Sequence, residues 1–151
     1  MSTHQDMATS FSIKEASKLT GLPASTLRYY ESIGMIKPVE RGSTSGHRVY
    51  SQADVNILDT IACLNATGMK LEDMKTYIAN ASDGQAHADD QMALLRAQQE
   101  RLDREARHIE QRRRYVELKI RYWQAVKARD DQQLAEIGAA AKLLAQELKK
   151  V

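Results

Sequence analysis

Apolar residues recur every three or four positions at the start of the chain, which is the spacing of short helices with one buried face. Ser12 and Glu15 can cap the first helix, which continues with apolar residues at spacings of three: Ile13, Ala16 and Leu19. Gly21 supplies a left-handed residue that ends this helix, and Pro23 suits the first turn of the next one, predicted over residues 24–33. Two short helices about four residues apart have the spacing of a helix-turn-helix motif, whose second helix enters the major groove of DNA.

The second predicted helix carries different side chains on its two faces. Its inward stripe contains Leu27, Tyr30 and Ile33. Its opposite stripe is polar and contains Ser25, Arg28, Tyr29 and Ser32. The guanidinium of Arg28 and the phenol of Tyr29 together suit phosphate oxygens, which bind positive charge and hydrogen-bond donors. An aromatic pair that only packs beneath a surface arginine is the alternative interpretation.

The next segment, KPVERGSTSGHRVY, breaks the helical pattern. Its proline and two glycines disfavour a helix, and its final Val-Tyr pair favours extended structure. The pattern predicts a two-stranded wing that carries a local set of basic and aromatic residues: Lys37, Arg41, His47, Arg48 and Tyr50. Solvated loop charge is the alternative, because the first 80 residues as a whole hold eight acidic and eight basic side chains.

In combination, these motifs resemble the amino-terminal domain of MerR-family transcription regulators. Members of that family typically show a T-L-R-Y-Y-E core, a G-L-I-x-P exit and a G-x-R-x-Y wing, and this chain has TLRYYE, GMIKP and GHRVY. The resemblance covers the chain from about residue 11 to residue 80. It implies DNA contacts from the second helix and the wing: Ser25, Arg28, Tyr29, Arg41, His47, Arg48 and Tyr50. His47 stands where many members have tyrosine.

A second capping pair, Ser51 and Asp54, predicts a helix that ends at Gly68, and a shorter helix follows from about Leu71. The first of these helices carries apolar side chains over one broad face: Val55, Ile57, Leu58, Ile61, Ala62 and Leu64. Cys63 falls almost opposite the centre of that face, although free cysteine is usually buried. An incidental thiol, or a thiol covered by another part of the protein, is one interpretation of this placement.

A sensor is the other interpretation of Cys63. A cysteine in such a stretch resembles the single-cysteine subgroup of MerR proteins typified by AdhR and NmlR, which is linked to aldehydes, electrophiles or redox stress. Asp59, one turn away, disfavours a thiolate. Metal-sensing MerR proteins usually carry paired cysteines near the carboxyl end, and this chain has none there, so neither a metal site nor a cofactor is expected. His87 with Asp89 and Asp90 is interpreted as part of a solvated linker.

The clearest periodicity is a seven-residue repeat of large apolar residues: Leu95, Leu102, Ile109, Val116 and Trp123. One long helix cannot bury this stripe alone, so it should pair with a second copy, and the resemblance implies an antiparallel dimer. Heptads by themselves fix neither orientation nor partner. After an ARDD interruption, a shorter amphipathic helix is predicted, which folds back on the coil or on the partner: Leu134, Ile137, Ala141, Leu144 and Leu148.

Composition narrows the class of protein further. A net charge of +2 over 151 residues gives no global basic field, so a nucleic-acid surface must be local. The single cysteine excludes an internal disulfide framework and a multi-thiolate zinc site within one chain. No run approaches the roughly 18 apolar residues of a membrane span. The sequence contains no phosphate loop, nucleophile elbow or zinc-hydrolase spacing, so we do not expect an enzyme. We expect a cytoplasmic protein that associates with the nucleoid when bound to DNA.

The sequence therefore predicts a mainly α protein with five segments: a flexible tail (1–10), a winged helix-turn-helix DNA-binding domain (11–80), a linker (81–90), a coiled-coil dimerisation helix (91–128) and a short carboxy-terminal helix (129–151). The resemblance implies a homodimer on an inverted repeat in promoter DNA with an overlong spacer. It also implies that DNA distortion lets the RNA polymerase holoenzyme contact both promoter elements. A coiled-coil DNA-binding architectural or adaptor protein is the alternative, as is a MerR-type regulator without thiol sensing.

Overall fold

A computed structural model describes residues 9–150, which form two compact units, one reaching to Leu94 and the other beginning at Leu95. The elements in chain order are β1 (Ser10–Phe11), α1 (Ile13–Thr20), α2 (Ala24–Ser32), β2 (Glu40–Arg41), β3 (Arg48–Ser51), α3 (Gln52–Ala66), α4 (Leu71–Ala81), α5 (Ala88–Ala128) and α6 (Asp131–Leu148). This confirms the predicted fold class of a winged helix-turn-helix followed by one long and one shorter helix.

Capping interactions fix the helix-turn-helix. The Ser12 hydroxyl accepts a hydrogen bond from the Glu15 amide at 3.1 Å, and the Glu15 carboxylate accepts one from the Ser12 amide at 3.1 Å. Gly21 ends α1 with φ at 75°, a left-handed conformation that favours glycine. Pro23 is the N-cap of α2 and not part of its first turn, because its ψ of 148° keeps it outside the helix. The turn from α1 to α2 is therefore as tight as the sequence predicts.

The wing belongs to a sheet of three antiparallel strands in the order β1, β3, β2. Val49 pairs with Glu40 and Arg48 pairs with Arg41, which gives the predicted two-stranded wing. Strand β1 was not predicted, and it adds Phe11 opposite Tyr50 on the other edge of β3. Most of the predicted tail of residues 1–10 lies outside the described residues, but Ser10 belongs to β1.

The core of the first unit is formed by side chains from α2, β3 and α3, and its largest fully buried members are Leu27, Tyr50, Leu58 and Ile61. Ser51 ends β3 and also caps α3, because its hydroxyl accepts a hydrogen bond from the Asp54 amide at 3.0 Å. The predicted apolar face of α3 includes one residue that the structure does not bury. Ile57 is exposed, because the buried stripe of α3 follows the three-residue spacing of Val55, Leu58 and Ile61.

The second unit is a helical hairpin. Helix α5 has 41 residues, so it is about 60 Å long, and it begins inside the segment predicted as a linker. Arg129 adopts a left-handed conformation with φ at 55°, and the Asp130 side chain then accepts a hydrogen bond from the Gln133 amide. Helix α6 folds back on α5 and buries Leu118 against Ile137 and its neighbours. Helix α6 therefore packs on the long helix of its own chain, which is one of the two arrangements that the sequence predicts.

The carboxy-terminal part of α5 has a second apolar face that the heptad pattern did not predict. Tyr115, Leu118, Tyr122 and Ala125 lie against α6. The apolar residues that recur every seven positions, called the heptad row from here on, lie on a different face and are exposed: Leu95, Leu102, Ile109, Val116 and Trp123. In the described residues, no helix has the length and apolar character needed to cross a membrane.

Candidate nucleic-acid interface

The outward face of α2 presents the polar residues that the sequence predicts. Ser25, Arg28 and Tyr29 are exposed, and Tyr29 keeps half of its surface accessible. Tyr30 turns into the core, with its ring centroid 6.2 Å from that of Tyr29. The two adjacent tyrosines therefore have different roles. Tyr30 fixes the helix to the core, and Tyr29 remains a hydrogen-bond donor at the surface.

A carboxylate at the end of α2 connects this helix to the wing. Glu31 accepts a hydrogen bond from Arg48 Nε through Oε1 at 2.7 Å and another from the Val39 amide through Oε2 at 3.0 Å. Burial raises the pKa of Glu31, but the hydrogen bonds from Arg48 and Val39 and the charges of Arg48 and Arg41 lower it by more. The pKa of Glu31 is therefore below its ordinary value, and the ion pair is present at neutral pH.

The tip of the wing is a tight loop held by its own backbone. The Gly42 amide donates to the His47 carbonyl at 2.9 Å, and the Gly46 amide donates to the Gly42 carbonyl at 2.9 Å. Arg41 donates a hydrogen bond to the Gly46 carbonyl at 3.1 Å, which ties its side chain to the loop. Arg41 and His47 are both exposed. The wing therefore offers cationic and imidazole groups from a loop of fixed shape.

Tyr50 is not part of this exposed surface. Its side chain is fully buried, and its hydroxyl has no hydrogen-bond partner in the described part of the chain. Burial also raises the pKa of the Tyr50 phenol, so this side chain is neutral at physiological pH. The expectation that Tyr50 contacts DNA is therefore corrected. The alternation of side chains along β3 turns this residue into the core, and it supports the wing from below.

We predict that Tyr50→Phe keeps the DNA affinity of the wild type within about twofold and leaves the free energy of unfolding equal or higher by up to about 1 kcal/mol. The substitution removes a buried hydroxyl that forms no hydrogen bond and conserves the ring. Chemical denaturation and DNA titration measure the two effects. Tyr29→Phe is the matched control and should weaken DNA binding, because it removes an exposed donor. Loss of DNA affinity in a folded Tyr50→Phe protein would restore Tyr50 as a contact.

The structure therefore brings together most of the predicted DNA-contact residues in the first unit. Ser25, Arg28 and Tyr29 lie on α2, and the wing adds Arg41, His47 and Arg48. Arg48 is half-buried because it pairs with Glu31. Sequence reasoning did not identify Glu31 as a functional residue. The only signal was its place at the end of the TLRYYE motif.

Cys63 is exposed on α3, as the helical pattern predicts. Among residues 9–150, no group of three or more His, Cys, Asp or Glu side chains has an arrangement that could hold a metal ion. His87 forms a local pair with Asp90 at 3.2 Å, and both side chains are exposed.

The fold and the exposed surface define a winged helix-turn-helix protein of the DNA-binding class. The sequence profile of MerR HTH family regulatory proteins matches residues 11–81. The chain is 35% identical to the HTH-type transcriptional regulator HmrR of Rhizobium leguminosarum bv. viciae over 95 residues, which are 63% of this chain and 72% of HmrR. It is 33% identical to the HTH-type transcriptional regulator AdhR of Bacillus subtilis over 90 residues, which are 60% of this chain and 64% of AdhR.

The chain belongs to the MerR family of helix-turn-helix regulators. This confirms the resemblance to the MerR family. Because these relatives are regulators, it also confirms the expectation that the protein is not an enzyme. Its fold is also that of HiNmlR, a MerR family regulator lacking the sensor domain, in a crystal structure bound to promoter DNA. That comparison has a TM-score of 0.64 at 23% identity and covers 85% of this chain and 96% of HiNmlR. The chain spans about half to two thirds of the first curated relatives it matches.

Proposed function

We propose that this protein binds promoter DNA through the outward face of α2 and the wing, and regulates transcription in the manner of MerR-type regulators. One observation carries the proposal. The second helix of the helix-turn-helix exposes Arg28 and Tyr29, and the 2.7 Å pair of Glu31 with Arg48 fixes the wing to that helix. Charged and hydroxyl donors at fixed positions match the phosphates of duplex DNA.

Each side chain has a definite part in this proposal. Arg28 and Arg48 bind phosphate oxygens by charge-assisted hydrogen bonds, and the Tyr29 hydroxyl adds a neutral one. Ser25, in the first turn of α2, contacts the groove or a phosphate. The wing tip carries Arg41 and His47 toward the flanking backbone. Tyr50 supports these contacts only through packing.

The proposal includes a homodimer that forms through α5. Five large apolar side chains recur every seven residues along this helix and are between 39% and 65% exposed: Leu95, Leu102, Ile109, Val116 and Trp123. An extended apolar row of this kind is unfavourable in water and favours a partner helix. Helix α6 does not cover it, because α6 packs on the face that contains Leu118 and Ala125. A second copy of α5 is the proposed partner, because it carries the same seven-residue repeat of apolar side chains.

Charge along α5 favours an antiparallel pair. Before Ile109 the helix holds five carboxylates and four arginines, whereas after Ile109 it holds two carboxylates and six cationic side chains. Parallel copies would set the two basic halves against each other, which is repulsive. Antiparallel copies set each basic half against the more acidic half of the partner. The pattern thus supports the orientation that the family resemblance implies.

Promoter distortion is the proposed mechanism. A dimer on an inverted repeat with an overlong spacer bends and untwists the DNA, so that the RNA polymerase holoenzyme contacts both promoter elements. Bending 20 to 30 base pairs costs on the order of 1–6 kcal/mol, which the phosphate contacts of two α2 helices and two wings offset. The protein then acts in the cytoplasm on nucleoid DNA.

Competition binding tests this proposal against an architectural role. A labelled duplex from the region upstream of the protein's own gene is displaced by the same unlabelled duplex or by random duplex. A regulator should prefer the upstream duplex by at least about 10³, whereas an architectural or adaptor protein should bind both alike. Equal competition by the two duplexes would contradict the proposed regulatory function.

We also propose that Cys63 senses aldehydes or oxidants. Its exposure in the chain supports this, because free cysteine is commonly buried. The thiol adds to an aldehyde carbonyl, so that a bond forms between Sγ and carbon and the thiol proton moves to the aldehyde oxygen. Helix α3, which carries Cys63, follows directly after strand β3 of the wing, because Ser51 is both the last residue of β3 and the N-cap of α3. A bulky adduct on α3 can therefore bias the position of the wing.

We predict that Cys63→Ser binds DNA as the wild type does but no longer changes transcription when formaldehyde or a thiol oxidant is added. The substitution is nearly isosteric at an exposed site, so folding should be unaffected. In vitro transcription from the promoter bound by the protein, with and without formaldehyde, measures the effect. An equal response from both proteins eliminates the thiol sensor and favours a regulator without thiol sensing.

A further inference from the structure

We propose that Glu31 is a positioning residue of the DNA interface, which presets Arg48 and both wing strands for phosphate binding. This inference rests on the proposed DNA-binding function and concerns the same surface. Glu31 itself carries a negative charge and is not a contact to DNA. It acts through Arg48 and through the backbone at Val39.

The geometry of Glu31 supports this role because one carboxylate reaches two separate parts of the wing. Val39 comes directly before β2, and Arg48 is the first residue of β3. Each oxygen of Glu31 accepts one hydrogen bond from one of these two residues. The Glu31 side chain is 15% exposed, which shields both bonds from water. The end of α2 and the starts of both wing strands are thus fixed to a single group.

Arg48 is held in a way that leaves binding capacity. Its hydrogen bond to Glu31 uses Nε, and its terminal nitrogens have no hydrogen-bond partner within the described residues. Its side chain remains 22% exposed. A guanidinium that is anchored through Nε keeps its two terminal nitrogens for a phosphate and loses less conformational freedom on binding.

The wing also needs a nearby negative charge for its own assembly. Arg41 and Arg48 lie directly opposite each other in the β2–β3 ladder, and like charges in such positions repel. The charges of both arginines act on the Glu31 carboxylate. Glu31 therefore offsets the repulsion that arises from placing two cations on the wing.

Simple electrostatics and the positioning role predict opposite results for loss of Glu31. Removing a carboxylate from a surface that meets phosphates should strengthen DNA binding by reducing repulsion. Under the positioning role, the same change weakens DNA binding because Arg48 is released. Glu31→Gln separates the two, since glutamine has one acceptor oxygen and its amide group would face the second donor. Glu40→Gln is the matched control, because Glu40 is an exposed carboxylate on β2 of the same wing.

The experiment is a titration of a labelled 40-base-pair random duplex at several salt concentrations. We expect Glu31→Gln to bind about tenfold more weakly than wild type. The slope of log affinity against log salt concentration should also fall by the equivalent of about one phosphate contact per subunit. Glu40→Gln should bind equally or more tightly with an unchanged slope. In the Arg48→Ala background, Glu31→Gln should cause little further loss, because the two residues act as a unit. A role in folding alone would not produce this coupling or this slope.

Wild-type affinity and an unchanged slope in Glu31→Gln would overturn the inference, as would equal losses from Glu31→Gln with and without Arg48. If Glu31→Gln does not fold, Glu31→Asp replaces it, because its shorter carboxylate keeps the charge and cannot reach both donors. About tenfold weaker binding by a folded Glu31→Asp supports the positioning role, and wild-type binding contradicts it. Failure of the wild type to bind any duplex would instead contradict the proposed function.

Discussion

Replacing Leu102 and Ile109 together by aspartate is expected to convert the protein into a monomer whose amino-terminal unit stays folded. Both side chains lie in the exposed heptad row of α5, so a dimer would have to bury four unpaired carboxylates. We expect dimerisation to weaken by at least about 3 kcal/mol. The core around Leu27, Leu58 and Ile61 does not include the heptad row and should be unaffected.

Light scattering and circular dichroism measure this prediction. Leu143→Asp is the matched control, because Leu143 is 66% exposed on α6 and outside the heptad row. That variant should remain dimeric. The monomer should also lose cooperative binding to an inverted repeat, since one subunit reads only one half-site. Intact dimers after the double substitution would show that the heptad row is not the interface.

Replacing Arg28 by alanine is expected to weaken the affinity for specific and random duplexes alike, by about tenfold for each subunit that contacts DNA. Arg28 is exposed on the outward face of α2 and binds phosphate in the proposed interface. The salt slope should fall by about 0.9 per subunit, because one phosphate contact is lost.

Lys75→Ala is the control for Arg28→Ala. It removes one positive charge from the same unit, on the exposed side of α4 and outside the proposed interface. Its affinity and salt slope should match those of the wild type. Equal effects of the two substitutions would mean that net charge, and not the α2 surface, determines DNA binding.

Local signals in the sequence predicted much of the first unit. The Ser12 and Ser51 capping boxes fix where two helices begin, and Gly21 fixes where one ends, because each depends on neighbours within three residues. The same reasoning assigned Tyr30 to the core and Tyr29 to the surface. Helical periodicity decides such positions without knowledge of the rest of the fold.

Features that depend on distant residues could not be predicted in this way. Strand β1 has two residues and forms only because β3 offers it a free edge. The carboxylate of Glu31 meets Arg48 across 17 positions of sequence. Tyr50 carries a polar group that suggests a surface role, but the pleat of β3 turns it into the core.

The second face of α5 was missed for a related reason. A strong seven-residue repeat identifies one apolar face of the helix. The face around Tyr115 and Leu118 can be recognised as buried only when the position of α6 is known, because α6 folds back on it. Helix α5 therefore has two apolar faces, one packed against α6 and one exposed. The proposed dimer is the natural use of the exposed one.

Footprinting of the DNA upstream of the protein's own gene tests whether the protein binds one specific promoter site through α2 and the wing. Wild-type protein is titrated onto that DNA at physiological salt, with Arg28→Ala beside it at the same concentrations. We predict that the wild type protects one inverted repeat between the two polymerase-contacting elements, with enhanced cleavage at its distorted centre, and that Arg28→Ala needs a far higher concentration. Uniform protection along the whole fragment, or protection that Arg28→Ala reproduces at wild-type concentrations, would contradict the account.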